Sequence, residues 1–169
     1  MSKTWTGACQ CGAVRYELLD KPSGAHICHC RMCQKAFGNF FAALVGLPRD
    51  KFRVVRGQIS NFRSSSEVQR GFCKNCGTPL TFDDLAESRI SVSIGSLDQH
   101  SEFMPHNQYG LESREPWFNQ ITVIPAYDSG EGAEGITEYA NRLPQFAASN
   151  RQHPDFDTEQ WPPEEAENV

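Results

Sequence analysis

Seven cysteines gathered into three short clusters restrict this 169-residue chain more than any other feature of it. The clusters read C-Q-C (Cys9, Cys11), C-H-C-R-M-C (Cys28, Cys30, Cys33) and C-K-N-C (Cys73, Cys76). Gaps of one or two residues bring sulfurs to a common point, and an odd number of thiols does not make a disulfide framework. A metal-stapled fold is the expectation. In Cys73–Lys74–Asn75–Cys76–Gly77 the turn directs both thiolates at one ion, and Gly77 accepts the backbone conformation that aims amide N–H groups at the sulfurs. Cys9 and Cys11 share one face of an extended segment, again with a glycine, Gly12, behind them. Two plus two gives a closed, four-cysteine zinc of the structural kind. It clamps a loop of more than 60 residues, so metal binding there counts as folding free energy. A redox-active pair needs a βαβ context that the sequence lacks.

That leaves Cys28, Cys30 and Cys33 by themselves. The C-x-C-x-x-C spacing combines the strand-face pair with the turn pair, so three sulfurs converge on one metal. Three protein ligands leave an open position, as catalytic zinc sites do. Thiolates select Zn²⁺ over Mg²⁺ or Ca²⁺. Three thiolates leave the site with one net negative charge, and a fourth, exogenous thiolate fits zinc's preference for soft ligands; zinc holds such a thiol deprotonated at neutral pH. The alternative is closure by a histidine, giving three cysteines and one imidazole. His29 alternates with the ligands and is expected to point away, His26 has the right parity, and His100 and His106 are remote. An iron–sulfur cluster lacks its usual fourth cysteine.

The rest of the first 125 residues reads as short strands separated by turn residues. The runs are 13–18, 39–47, 52–57, 58–63, 68–72, 79–84, 89–97 and 119–125. The run 39–47 is apolar on both faces, which suits a wall between two layers. One short helix is expected around 32–37, after the second cluster. The expected fold is therefore mainly β and antiparallel, a single domain over 1–127. Beyond it, 128–169 reads as an acidic, Pro-rich, partly ordered extension whose segment 136–150 holds one or two helical turns. Its aromatics Tyr139, Phe146, Phe156 and Trp161 offer surface for packing on the domain or on a second copy, as in a homodimer.

Charge excludes some functions. The net charge is −5, and the sequence pI is about 5.5, far from the basic footprint of a nucleic-acid binder. Six of the 21 acidic residues fall in 155–167, which holds no Lys or Arg. The remainder is close to neutral and names no charged partner. No apolar run approaches a membrane span, and the N-terminus has no secretory pattern. The expected location is cytoplasmic, where thiols stay reduced.

The strings GACQCGAVRYE, CHCRMCQKAFG, FCKNCGTPL and SIGSLD, in that order, resemble the glutathione-dependent formaldehyde-activating enzyme family, which also includes centromere protein V. REPWFNQITVIPAY resembles the end of the family's domain, and the resemblance covers about residues 5–125. It implies several coiled antiparallel sheets similar to the Mss4-like zinc folds. It also implies two zinc ions: a structural one on Cys9, Cys11, Cys73 and Cys76, and a catalytic one on Cys28, Cys30 and Cys33. The implied activity is that of a carbon–sulfur lyase joining glutathione to formaldehyde as S-hydroxymethylglutathione. A small anionic thiol then calls for a basic wall, for which Arg31, Lys35 and Arg49 are nearest in sequence, and His29 is the candidate proton shuttle. The rival is a non-catalytic, zinc-stabilised binding module, with the triplet closed by His26 and a contact surface at 39–41 and 115–118.

Overall fold

The computed structural model describes residues 3–127 and 137–156. The acidic stretch from residue 157 on, Trp161 included, and most of the linker-like run 127–135 lie outside them. The chain divides into two compact units: residues up to Arg114 joined by the segment from Gln152, and Glu115–Arg151. The expected boundary at residue 127 falls inside the second of these.

The first unit is mainly β. A three-stranded antiparallel sheet has the order β1 (Trp5–Ala8), β2 (Arg15–Leu18), β5 (Phe52–Arg56). The larger sheet uses β3 (Ser23–Cys28), β4 (Ala42–Pro48), β6 (Ser60–Arg63), β7 (Val68–Phe72), β8 (Pro79–Asp84), β9 (Arg89–Ser93) and β10 (Asn107–Tyr109). Its order is β10-β3-β4-β9-β8-β7-β6. One helix, α1 (Arg31–Phe37), follows the second cysteine cluster as expected. Strands 5–8, 23–28 and 107–109 were not expected from pattern. The pairing of β10 with β3 is parallel, against the antiparallel expectation. A parallel neighbour has to arrive from far along the chain, and no local turn signals it.

The wall expected at 39–47 is β4, and its alternation explains how the unit is layered. Val45 and Leu47 belong to the main apolar core, with Tyr16, Leu18, Leu80 and Val92. Ala42 and Leu44, of the other parity, join a second cluster with Cys33, backed by Cys28, Cys30, Phe37 and Phe82. Successive side chains of a strand point to opposite faces, so one strand carries both cores. Cys9 and Cys73 lie in the main core and Cys33 in the second. A buried ion pair ties the small sheet to the segment after β9: Arg15 Nη2 donates to Asp98 Oδ2 at 2.5 Å, both side chains being about 4% exposed. Thr6 Oγ1 donates to the same carboxylate oxygen, which helps satisfy a charge that burial would otherwise penalise.

The second unit holds a correction. Residues 119–125 were expected as a strand, but Phe118–Val123 form a 3₁₀ helix. Its bonds are local, with Phe118 N–H on the Glu115 carbonyl at 3.0 Å and Gln120 N–H on the Trp117 carbonyl at 2.8 Å. Among the described residues no strand pairs with the β-branched residues there, and Val123 and Ile124 stay exposed. Farther on, α2 (Thr137–Ser149) is longer than the one or two turns expected and carries Pro144 in its interior. Arg142 stacks on the Phe146 ring at 4.9 Å.

Candidate metal centres and active site

The four-sulfur centre is built by two turns of the same design. After β1, Gly12 N–H donates to the Cys9 carbonyl at 3.0 Å, with Gly12 at φ 73°. Before β8, Gly77 N–H donates to the Cys73 carbonyl at 2.8 Å, with Gly77 at φ 76°. Both conformations belong to glycine. Thr78 joins the turns: its Oγ1 accepts from Gln10 N–H at 3.0 Å and lies 3.1 Å from Cys76 Sγ. Val14 N–H donates to Cys9 Sγ at 3.2 Å. The ligand atoms of Cys9, Cys11, Cys73 and Cys76 all lie within 4.8 Å of one another. Cys9 and Cys11 sulfurs are 3.6 Å apart, and Cys11 and Cys73 are 3.8 Å apart. A tetrahedron with metal–sulfur bonds of about 2.3 Å has edges of about 3.8 Å, so the donor set fits a metal ion such as zinc. Burial above all pushes the Cys9 and Cys11 thiols up. Burial also opposes ionising Cys76, but hydrogen bonds from Thr78 and Cys11 outweigh it and bring that thiol to about 6. The returning segment at 152–156 closes over this centre. His153 is buried and its N–H donates to the Gln10 carbonyl at 2.7 Å. A cavity of about 440 Å³ lies between that segment and the Cys76–Thr78 turn.

The three-sulfur centre is mounted differently. Cys28 ends β3, Cys30 is the cap residue of α1, and Cys33 is in the helix and buried. Their ligand atoms also lie within 4.8 Å of one another, and no histidine or carboxylate joins the group among the described residues. His26 Nδ1 lies 2.9 Å from the Gly24 carbonyl, and its ring meets Tyr109 edge-on. His29 is fully buried, with Nε2 2.9 Å from Gln108 Oε1 and its ring against Phe41. That is the opposite-face placement expected of it.

Two features hold the triplet that sequence order does not reveal. Gly110, at φ 70°, follows β10 and crosses so close to Cys30 that an added Cβ would stand 2.6 Å from the Cys30 nitrogen. Arg70, in the middle of β7, donates from Nη2 to Cys33 Sγ at 3.6 Å. Burial raises the Cys28 thiol and pushes Cys33 to about 12. At Cys30 burial acts the same way, but hydrogen bonds from the Cys33 amide and the neighbouring thiols, with the Arg70 charge, bring the thiol below its ordinary value. The basic wall expected at Arg31, Lys35 and Arg49 takes other forms. Arg31 Nη1 donates to Gln34 Oε1 at 3.0 Å, and Lys35 is exposed. Arg49 pairs with Asp83 and donates to the Asp84 and Glu87 carbonyls at 3.0 and 2.8 Å, fixing the β8–β9 turn.

Known proteins resemble this chain in sequence and in fold. Over 78 residues the chain is 30% identical to an uncharacterized lyase of Schizosaccharomyces pombe, a match that covers 46% of this chain and 56% of the relative. The chain thus spans little more than half of that curated relative. A Rhodobacter sphaeroides protein of known crystal structure has a similar fold, with a TM-score of 0.51 at 23% identity, covering 61% of this chain and 98% of that one. The family model described as glutathione-dependent formaldehyde-activating enzyme matches residues 4–112. That range takes in all three cysteine clusters, both sheets and Gly110, and by it the chain belongs to the glutathione-dependent formaldehyde-activating enzyme family.

Proposed function

We propose that this protein is a zinc-dependent carbon–sulfur lyase that makes or breaks S-hydroxymethyl-type adducts of a small thiol such as glutathione. Cys28, Cys30 and Cys33 form the catalytic metal site, and Cys9, Cys11, Cys73 and Cys76 form a structural one. The observation that carries this reading is the pair of unequal donor sets: four converging sulfurs in one, three in the other with no further His, Asp or Glu donor among the described residues. Family membership and a lyase-named relative support the reaction class.

Cys28, Cys30 and Cys33 would hold the zinc ion, which would supply ionisation of an incoming thiol at neutral pH. The chain's residues do the rest. Gly110 and β10 fix the Cys30 backbone, and α1 fixes Cys33, so the donors are set before a substrate arrives. In the forward direction the thiol sulfur bonds to the carbonyl carbon, the carbonyl π pair moves to oxygen, and that oxygen gains the proton the thiol lost. No electrons are transferred overall. Proximity of sulfur and carbonyl carbon is the main gain. His29 is fully buried, with Nε2 2.9 Å from Gln108 Oε1, and does not join the donor group.

The test is zinc content and zinc-edge X-ray absorption of wild type and Cys30→Ala, with and without glutathione, alongside nuclear magnetic resonance of formaldehyde–glutathione exchange. The expected result is two zinc ions, a sulfur added by glutathione at the second, and faster exchange that Cys30→Ala loses. A second zinc closed by protein ligands and indifferent to thiols would falsify the proposal and favour a binding module.

A further inference from the structure

Arg70 is the least expected charge in the molecule. It lies at the centre of β7, 6% exposed, and its neighbours hold it from three sides. Its Nε donates to Ser64 Oγ at 3.2 Å. Its guanidinium carbon stacks on the cross-strand Phe82 ring at 5.0 Å. Its Nη2 donates to Cys33 Sγ at 3.6 Å, and its buried Nη1 has no hydrogen-bond partner among the described residues. Among the described residues no carboxylate pairs with it. A guanidinium stays protonated in any protein setting, and a buried charge without a counter-charge is strongly unfavourable. The group facing it is Cys33, in an apolar cluster with Phe82, Ala42 and Leu44. A neutral thiol would leave the cation uncompensated; a thiolate pairs with it.

We infer that Arg70 is a positioning residue that sets the charge of the three-sulfur centre and thereby its capacity for a fourth, anionic sulfur. The inference rests on the metal site proposed above. A divalent ion with three thiolates carries one net negative charge, which Arg70 cancels. An incoming thiolate then meets a neutral centre instead of an anionic one. The same hydrogen bond withdraws electron density from Cys33, which keeps the metal electron-poor toward a further donor. Phe82 and Ser64 aim the fork, so the effect depends on planar geometry as well as on charge.

The test uses the full chain loaded with Co²⁺, read by its thiolate-to-metal charge-transfer bands and by glutathione titration. Bands of the triplet are isolated by difference against the Cys28→Ala/Cys30→Ala variant. In Arg70→Met, the triplet bands are expected to move to lower energy before any glutathione is added, because Cys33 becomes a stronger donor. Affinity for glutathione is expected to fall about tenfold, as for the loss of one charged hydrogen bond. Arg70→Lys, which keeps the charge without the fork, should lie between the two. It also serves as the measured variant if Arg70→Met does not fold. A purely structural role would lower metal content or melting temperature without moving the bands of the folded, loaded protein. Unmoved bands and full affinity in a folded variant overturn the inference. A wild type that takes up no glutathione overturns the proposed function instead, while the band shift of the variant still decides the role of Arg70.

Discussion

The two cysteine centres share a ligand type and differ in nearly everything that holds them. In the four-sulfur centre every donor comes from a turn of fixed local design, and two of the sulfurs sit in the main core. In the three-sulfur centre the donors come from one strand-to-helix junction. The groups that pack against them, Gly110 just after β10 and Arg70 in β7, come from elsewhere in the chain. One centre is closed by its own neighbours and joins distant stretches of chain. The other is open at its ligand set and depends on distant stretches for its shape. If, as proposed, the first centre only holds its metal and the second also exchanges a ligand, the second is the one that calls for a surrounding scaffold.

Removing one ligand from each centre gives the largest contrast. Cys73→Ser should abolish cooperative folding, because structural zinc contributes on the order of 10 kcal/mol, comparable with the whole stability of a domain at about 5–15 kcal/mol. Cys30→Ser should fold, retain one zinc and melt cooperatively. Calorimetry with metal analysis checks both, and equal damage from the two variants would erase the distinction drawn between the centres.

A smaller effect is expected at Gly110. An alanine there needs a disfavoured backbone angle and meets the Cys30 backbone, at a cost of about 1–3 kcal/mol. Gly110→Ala should therefore weaken metal binding at the triplet and leave the four-sulfur centre filled. Zinc content with cysteine alkylation read by mass spectrometry separates the two. Protection of all seven cysteines in the variant would show that β10 does not shape the site.

The mildest perturbation is pH. Burial raises Cys28, and Cys33 to about 12, so both must lose protons when metal binds. Their protonated forms compete with the metal, and zinc affinity at the triplet should rise with pH and fall as acid is added. Cys9 and Cys11 impose the same sign on the other centre, and each centre has one thiol brought down, Cys76 to about 6 and Cys30 below its ordinary value. With one thiolate donor more, the four-sulfur centre should retain zinc to lower pH. A chromophoric zinc chelator followed during acidification should show two steps, the Cys30→Ser protein keeping only the lower one.

What could be read in advance follows the same division. The seven donors were legible because one- and two-residue gaps fix local geometry, and β4 was legible because an apolar run on both faces has few other places to go. Arg70 was not. In the string VQRGF it looks like the outward charge of a half-buried strand, and only pairing with Phe82 and contact with Cys33 reveal it. Sequence proximity favoured Arg31, Lys35 and Arg49, yet Arg49 holds a turn and Lys35 faces solvent. The polar string at 107–109 has no strand signature, since its β structure comes from the edge of β3. The β-rich string at 119–125 shows the converse: among the described residues it enters neither sheet, and Phe118–Val123 form a 3₁₀ helix. Local chemistry predicts ligands, while partners across a sheet depend on register.

The parallel pairing of β10 with β3 also has a consequence for how the protein is made. The last donor of the four-sulfur centre is Cys76, so that centre can assemble on the ribosome while the triplet is still unfinished. The triplet's own thiols emerge earlier, but Gly110 follows Cys33 by some 77 residues. At about 5–20 residues per second this delay is roughly 4–15 s. For that interval the nascent chain presents three thiols beside an unpaired strand edge.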